Sequence, residues 1–156
     1  MGTKKFTQFG TFTVAIMLPL FLLFTGVFKS VFENSPDTHI FLASIFMICL
    51  LLFYKLTIIV DNVNVSFRLG IGLIRKSYKI ADISSCTPVT NSIFDGIGIH
   101  KLSNGWIYNV SGLKSIELSF KDRFSTIRIG TNRPDEISDY ITRLINHNKS
   151  LGSKGV

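Results

Sequence analysis

The stretch Thr38–Val60, THIFLASIFMICLLLFYKLTIIV, carries a single charged side chain, Lys55, close to its far end. A helix that spans a membrane needs roughly 20 predominantly apolar residues at about 1.5 Å each, so this stretch has the length. Lys55 can lay its stem along the apolar layer with its ammonium among headgroups, and Tyr54 suits an interfacial belt. Toward the N-terminus, an uncharged run separates Lys5 from Lys29, its richest part being Thr11–Phe28, TFTVAIMLPLFLLFTGVF. Asn34, Ser35 and Pro36 supply a turn between the two. The pattern predicts a transmembrane helical hairpin with helices over about 11–30 and 38–60, and Pro19 as a kink in the first.

Composition agrees with two unlike halves. The 156 residues are 46% hydrophobic and 17% charged, where an ordinary globular domain is about 25% charged. Ten of the 14 phenylalanines precede residue 61. Lys4 and Lys5 stand before the first helix, while Lys55, Arg68, Arg75, Lys76 and Lys79 follow the second. By the positive-inside rule both termini are expected to be cytoplasmic, in a multi-pass membrane protein whose first partner is the lipid bilayer.

After Asp61 the hydrophobic period becomes two. Val63, Val65, Phe67 and Leu69 alternate with polar residues, as do Ile116, Leu118 and Phe120, and then Ile127 and Ile129; this marks strands with one buried face. Less regular strands are predicted over 73–80, 84–89, 97–102 and 106–110, with Asn104-Gly105 as the strongest hairpin signal. The period changes again at Ile137, Tyr140, Ile141, Leu144 and Ile145, the spacing of an amphipathic helix. Thr131 or Asn132 can cap it, and Pro134, Asp135 and Glu136 suit its first turn. The expected class is therefore an α+β membrane protein: residues 1–60 a transmembrane hairpin, 61–149 a cytoplasmic antiparallel barrel or curled sheet of about seven strands with a C-terminal amphipathic helix, and 150–156 a flexible tail.

The segments Gly70–Tyr78 (GIGLIRKSY), Asp95–Ile99 (DGIGI), Trp106–Leu113 (WIYNVSGL) and Ile129–Pro134 (IGTNRP) resemble small bacterial membrane proteins with a pleckstrin-homology-like domain. The resemblance covers nearly the whole chain. It implies a place in the bacterial inner membrane, two helices near the N-terminus, a β-barrel closed by a C-terminal helix, and no catalytic residues to carry over.

Chemistry-bearing patterns are sparse. His39, His100 and His147 fall in three different predicted elements, and Cys49 and Cys86 have no His or Cys neighbour at ligand spacing, so no metal is expected. Gly70 and Gly72, like Gly96 and Gly98, lie between strands and lack the third glycine of a nucleotide fingerprint. No cofactor is expected, and no catalytic residue is assigned. The chain carries a net charge of +7, but no basic helix or aromatic RNA-binding motif accompanies it, so no nucleic-acid partner is expected.

The expected function is non-enzymatic: protein–protein interaction or self-association at the cytoplasmic face of the membrane. Trp106 and Tyr108 are the candidate contact residues, since their i, i+2 spacing puts them on one strand face. The alternative is a module for anionic lipid headgroups, with Arg68, Arg75, Lys76 and Lys79 as the candidate grip. A cryptic enzyme, with acids brought together only by the fold, is the second alternative.

Overall fold

The computed structural model describes residues 2–31, 36–92, 95 and 97–152. Strand β1 (Lys4–Phe9) opens the chain and is followed by helices α1 (Thr11–Val31) and α2 (Pro36–Phe53). Strands β2 (Lys55–Val60), β3 (Asn64–Leu69) and β4 (Ile74–Lys79) complete a four-stranded antiparallel sheet in the order β1-β2-β3-β4. A single 3-10 turn, Ile80–Asp82, leads to β5 (Ile83–Thr90), β6 (Gly98–Leu102), β7 (Gly105–Asn109), β8 (Lys114–Phe120) and β9 (Thr126–Gly130). These make a second sheet, β5-β8-β9-β7-β6, in which β7 and β9 run parallel and the other pairs antiparallel. Helix α3 (Pro134–Gly152) packs on β5 and β8.

One apolar core joins both sheets and α3. Leu56, Ile58 and Phe67 enter it from the first sheet, Ile116, Leu118 and Ile129 from the second, and Ile137 and Ile141 from α3. Each strand contributes alternate residues because successive side chains point to opposite faces. Helix α3 is entered through the Arg133 N–H donating to Thr131 Oγ1 at 3.2 Å, and it is tied down by Ser138 Oγ donating to the Cys86 carbonyl at 2.8 Å.

Several expectations are corrected here. Among the described residues no helix is long and apolar enough to cross a membrane. The transmembrane hairpin, the bilayer as partner and the multi-pass inner-membrane placement with both termini cytoplasmic are thereby overturned. The reason lies in how the apolar stretch is shared out. Lys55–Val60 leaves the expected second helix and becomes β2, paired on both sides. That leaves α2 with a polar first turn and an apolar part of only 14 residues, Ile40–Phe53. A run of that length falls short of the roughly 17–25 residues of a span. In α1 the apolar part Thr11–Phe28 starts within the protein body, where Thr13 Oγ1 donates to the Val110 carbonyl at 2.5 Å, so less of it than the roughly 20 residues of a typical span stands clear of the sheets.

The expectation of an α+β membrane protein with about seven strands, all after residue 60, is corrected with it. The strands number nine among the described residues, and two of them, β1 and β2, precede residue 61. The turn expected at 34–36 and the flexible tail at 150–156 fall partly on 32–35 and 153–156, outside the described residues.

The helical hairpin is rooted in the first sheet through backbone contacts. Gly10 N–H donates to the Tyr54 carbonyl at 2.8 Å and Gly70 N–H to the Lys55 carbonyl at 2.7 Å. Gly70 has φ +53°, and a Cβ there would sit 1.9 Å from the Leu51 carbonyl oxygen, so only glycine fits where the β3–β4 turn meets the end of α2. Phe21 and Phe46 hold the two helices together, ring centroids 5.7 Å apart.

Candidate functional site

Alternation along β4 sorts the basic residues to two faces. Arg75, Ser77 and Lys79 point one way, Ile74, Lys76 and Tyr78 the other. Arg75 is the register partner of Arg68 on β3, so these two guanidinium-bearing side chains share a face across neighbouring strands. With Ile59, Ser66 and Ser77 they line a shallow depression of about 410 Å³. Lys79 pairs with Asn64, four residues along the strand from Arg75 and thus about 13 Å away. Lys76 also borders the depression, but its ammonium turns to the opposite side, over the Tyr108 ring at 5.2 Å from the centroid. The fold brings Arg68 and Arg75 together and separates Lys76 and Lys79 from them.

Trp106 and Tyr108 are also sorted by the fold. Tyr108 is 3% exposed and packs against Phe67, ring centroids 4.7 Å apart; it belongs to the core. Trp106, on the same strand face nearer the turn, is 42% exposed. It lines a cleft of about 550 Å³ between β4, the β6–β7 turn and the β8–β9 connection.

This cleft gathers Lys76 and Tyr78 from β4, Lys101 from β6, Trp106 from β7, and Arg123 and Phe124 from the β8–β9 connection. The Arg123 guanidinium lies 4.0 Å from the Phe120 ring centroid and 5.7 Å from that of Tyr78. Such stacking holds a cation in place while leaving its N–H edge for a ligand. The interaction with the Tyr108 phenol holds the Lys76 pKa above its ordinary value, and burial raises that of Tyr78. Both therefore keep their protons at neutral pH: Lys76 is a cation and Tyr78 a neutral phenol. Among the described residues no carboxylate lines the cleft, and the ion pairs, Glu117–Arg128 and Arg133–Glu136, lie elsewhere. The arrangement can receive an anion and stack an apolar or planar group.

Lys101, Arg123 and Phe124 were not singled out by the sequence. They lie 22 or more residues apart from Lys101 to the β8–β9 connection, and no local spacing signals that they converge. Among the described residues no group of three His, Cys, Asp or Glu is placed to hold a metal. Cys86 is buried, and burial pushes its thiol up to about 12 despite the hydrogen-bonding influence of Ser138; a thiol in that setting is inert as a nucleophile at neutral pH. Compared with known proteins, the chain matches no family model, no curated protein and no solved structure.

Proposed function

We propose that this chain is a non-enzymatic interaction module that self-associates through its helical hairpin. The observation that carries this reading is the apolar surface of α1 and α2. Leu22 and Leu23 on α1 and Ile40 and Phe41 on α2 are each at least 60% exposed, and Leu18, Met47 and Ile48 are exposed beside them. Exposed apolar side chains concentrated on two helices in this way mark a contact site. No charge interrupts α1 from Thr11 to Phe28, so the partner surface must itself be apolar and uncharged; the hairpin of a second copy is such a surface. Kinship of the two-sheet body with pleckstrin-homology-like domains is part of the proposal, supported by the apolar stripe of the C-terminal helix lying against the sheet.

Sedimentation of the full chain, with in-cell crosslinking at native abundance, tests it. A discrete oligomer that dissociates when Leu23 and Phe41 are replaced by Ser is the expected result. A chain that stays monomeric, or that is recovered as a monomer on phospholipid vesicles, overturns it.

A second reading rests on Arg68 facing Arg75. Two like charges opposed across strands repel unless an anion lies between them, which favours a phosphate-bearing headgroup. Flotation with anionic liposomes decides it: binding that is absent at low salt, or unchanged when Arg68, Arg75, Lys76 and Lys79 are all Ala, excludes it.

A further inference from the structure

We propose that the cleft between β4 and the β6–β7 turn is a docking groove for an extended acidic segment of a partner protein. The inference is independent of the hairpin and of the Arg68–Arg75 depression. It rests on three features that coincide in one place.

The first is charge. Lys76, Lys101 and Arg123 reach the cleft from three separate elements. Among the described residues none of them has an ion-pair partner and no carboxylate lines the cleft. Concentrating like charges on low-dielectric walls raises the field inside a cleft and draws in the opposite sign.

The second is an open edge. β4 is the terminal strand of the first sheet, so alternate residues of Ile74–Lys79 turn their backbone N–H and C=O groups away from β3. Among the described residues, none of the backbone hydrogen bonds outside the sheets and helices involves Arg75–Lys79. An exposed edge of this kind is the template on which an extended peptide adds as a further strand.

The third is an aromatic floor. Trp106 is half-exposed and Phe124 fully exposed, and both line the same cleft as Tyr78. Side chains of an added strand alternate between its faces with a period of two. Lys101 and Trp106 are register partners and so share a face; carboxylates on the cleft side of the added strand therefore meet Lys76, Lys101 and Arg123 with their stems against Trp106, and the residues between them point out of the cleft. A free anion would satisfy the cations without using the strand edge; an extended segment with acidic residues at every second position uses all three features.

Trp106 is the sole tryptophan of the chain, so its fluorescence reports on the cleft alone. The experiment titrates the full chain with a fluorescein-labelled seven-residue peptide of alternating Glu and Val, following peptide anisotropy and Trp106 emission together. Saturable binding that shifts the Trp106 emission and weakens as salt rises is the expected result. Lys101→Glu with Arg123→Ala should weaken it by about three- to tenfold, since each exposed pairing contributes modestly and two are removed. Arg143→Ala with Lys149→Ala, exposed on α3 and outside the cleft, should leave it unchanged. Circular dichroism of each variant guards against loss of fold, and Lys101→Glu alone, at an exposed side chain, gives a second variant that keeps the sheet intact. The proposal is overturned by no binding, by equal binding of the Lys/Val counterpart, by competition from inorganic phosphate at matched charge, or by preference for anionic phospholipid vesicles over the peptide.

Discussion

Glu117 and Arg128 face each other in register across β8 and β9, with Arg128 Nε donating to the Glu117 carboxylate at 2.6 Å. The pair is three-quarters shielded from solvent and extends into a network: Arg128 Nη1 reaches Asn91 Oδ1 at 3.5 Å, and Asn91 Nδ2 donates to Ser115 Oγ at 2.5 Å. A charge-assisted hydrogen bond of this geometry contributes about 1.5–3 kcal/mol. Glu117→Gln is expected to lower the unfolding free energy, read from urea titration, by an amount within that range. Exchanging the two residues should recover part of the loss, and no recovery would show that the pair is not coupled.

The parallel pairing of β7 and β9 depends on Gly105. A Cβ at this position would sit 1.8 Å from the Thr126 carbonyl oxygen, and that contact is backbone, which cannot swing aside. Gly105→Ala is therefore expected to destabilise the fold by about 2 kcal/mol or more, in the class of backbone-incompatible substitutions. Amide exchange should quicken first at Gly105–Tyr108 and Thr126–Ile129, the paired residues. A stability equal to that of the parent would refute the close approach.

Asn109 is wholly buried; its Nδ2 donates to the Gly112 carbonyl at 2.7 Å and its Oδ1 accepts from the Ser111 N–H at 3.2 Å. Replacing it by Ala leaves the buried Ser111 N–H without its acceptor, whereas the carbonyl of the exposed Gly112 can turn to water, and a buried unsatisfied group costs about 1–3 kcal/mol. The expected loss lies in that range, measurable by thermal or urea unfolding. An unchanged stability would show that Asn109 does not hold the turn.

Cys86 gives a pH dependence with a defined sign. Burial raises its thiol from 9.0 to about 12 in the folded chain, so the native state holds the proton more tightly than the unfolded one. This contribution to stability is fully present below pH 9 and is lost as pH climbs from there toward 12. Stability should fall above pH 9 in the parent and fall less steeply in Cys86→Ala, compared by urea unfolding at each pH. Under native conditions at pH 8 a thiol reagent should modify Cys86 only at the rate of unfolding.

The helix stripe Ile137, Tyr140, Ile141, Leu144 and Ile145 is legible in the sequence because its spacing is helical and all five residues are buried. So is β3, where Val65, Phe67 and Leu69 are buried and their neighbours less so. β2 hides itself: Leu56, Thr57, Ile58 and Val60 are all buried, so there is no alternation to set it apart from an apolar helix. Its β-branched Thr57, Ile58, Ile59 and Val60 were the available signal. β1, KKFTQF, carries no cue of its own, since its pairing partner lies some fifty residues away. The cleft follows the same rule. Alternation separates Arg75 from Lys76 on paper, but the convergence of Lys76, Lys101 and Arg123 is a property of two sheets meeting, and no window of sequence contains it.

Phe9 and Lys55 are register partners at the end of the β1–β2 ladder, although 45 residues separate them along the chain. The helical hairpin thus leaves and re-enters the sheet at adjoining points, as an excursion from what would otherwise be a simple two-stranded turn. Closure cost rises only slowly with the length of such an excursion, so the sheet is nearly indifferent to what is spliced there. The hairpin can lengthen, shorten or change its contact chemistry while the two-sheet body and its cleft keep their shape. The two proposed contact surfaces of the chain are in this way free to diverge separately.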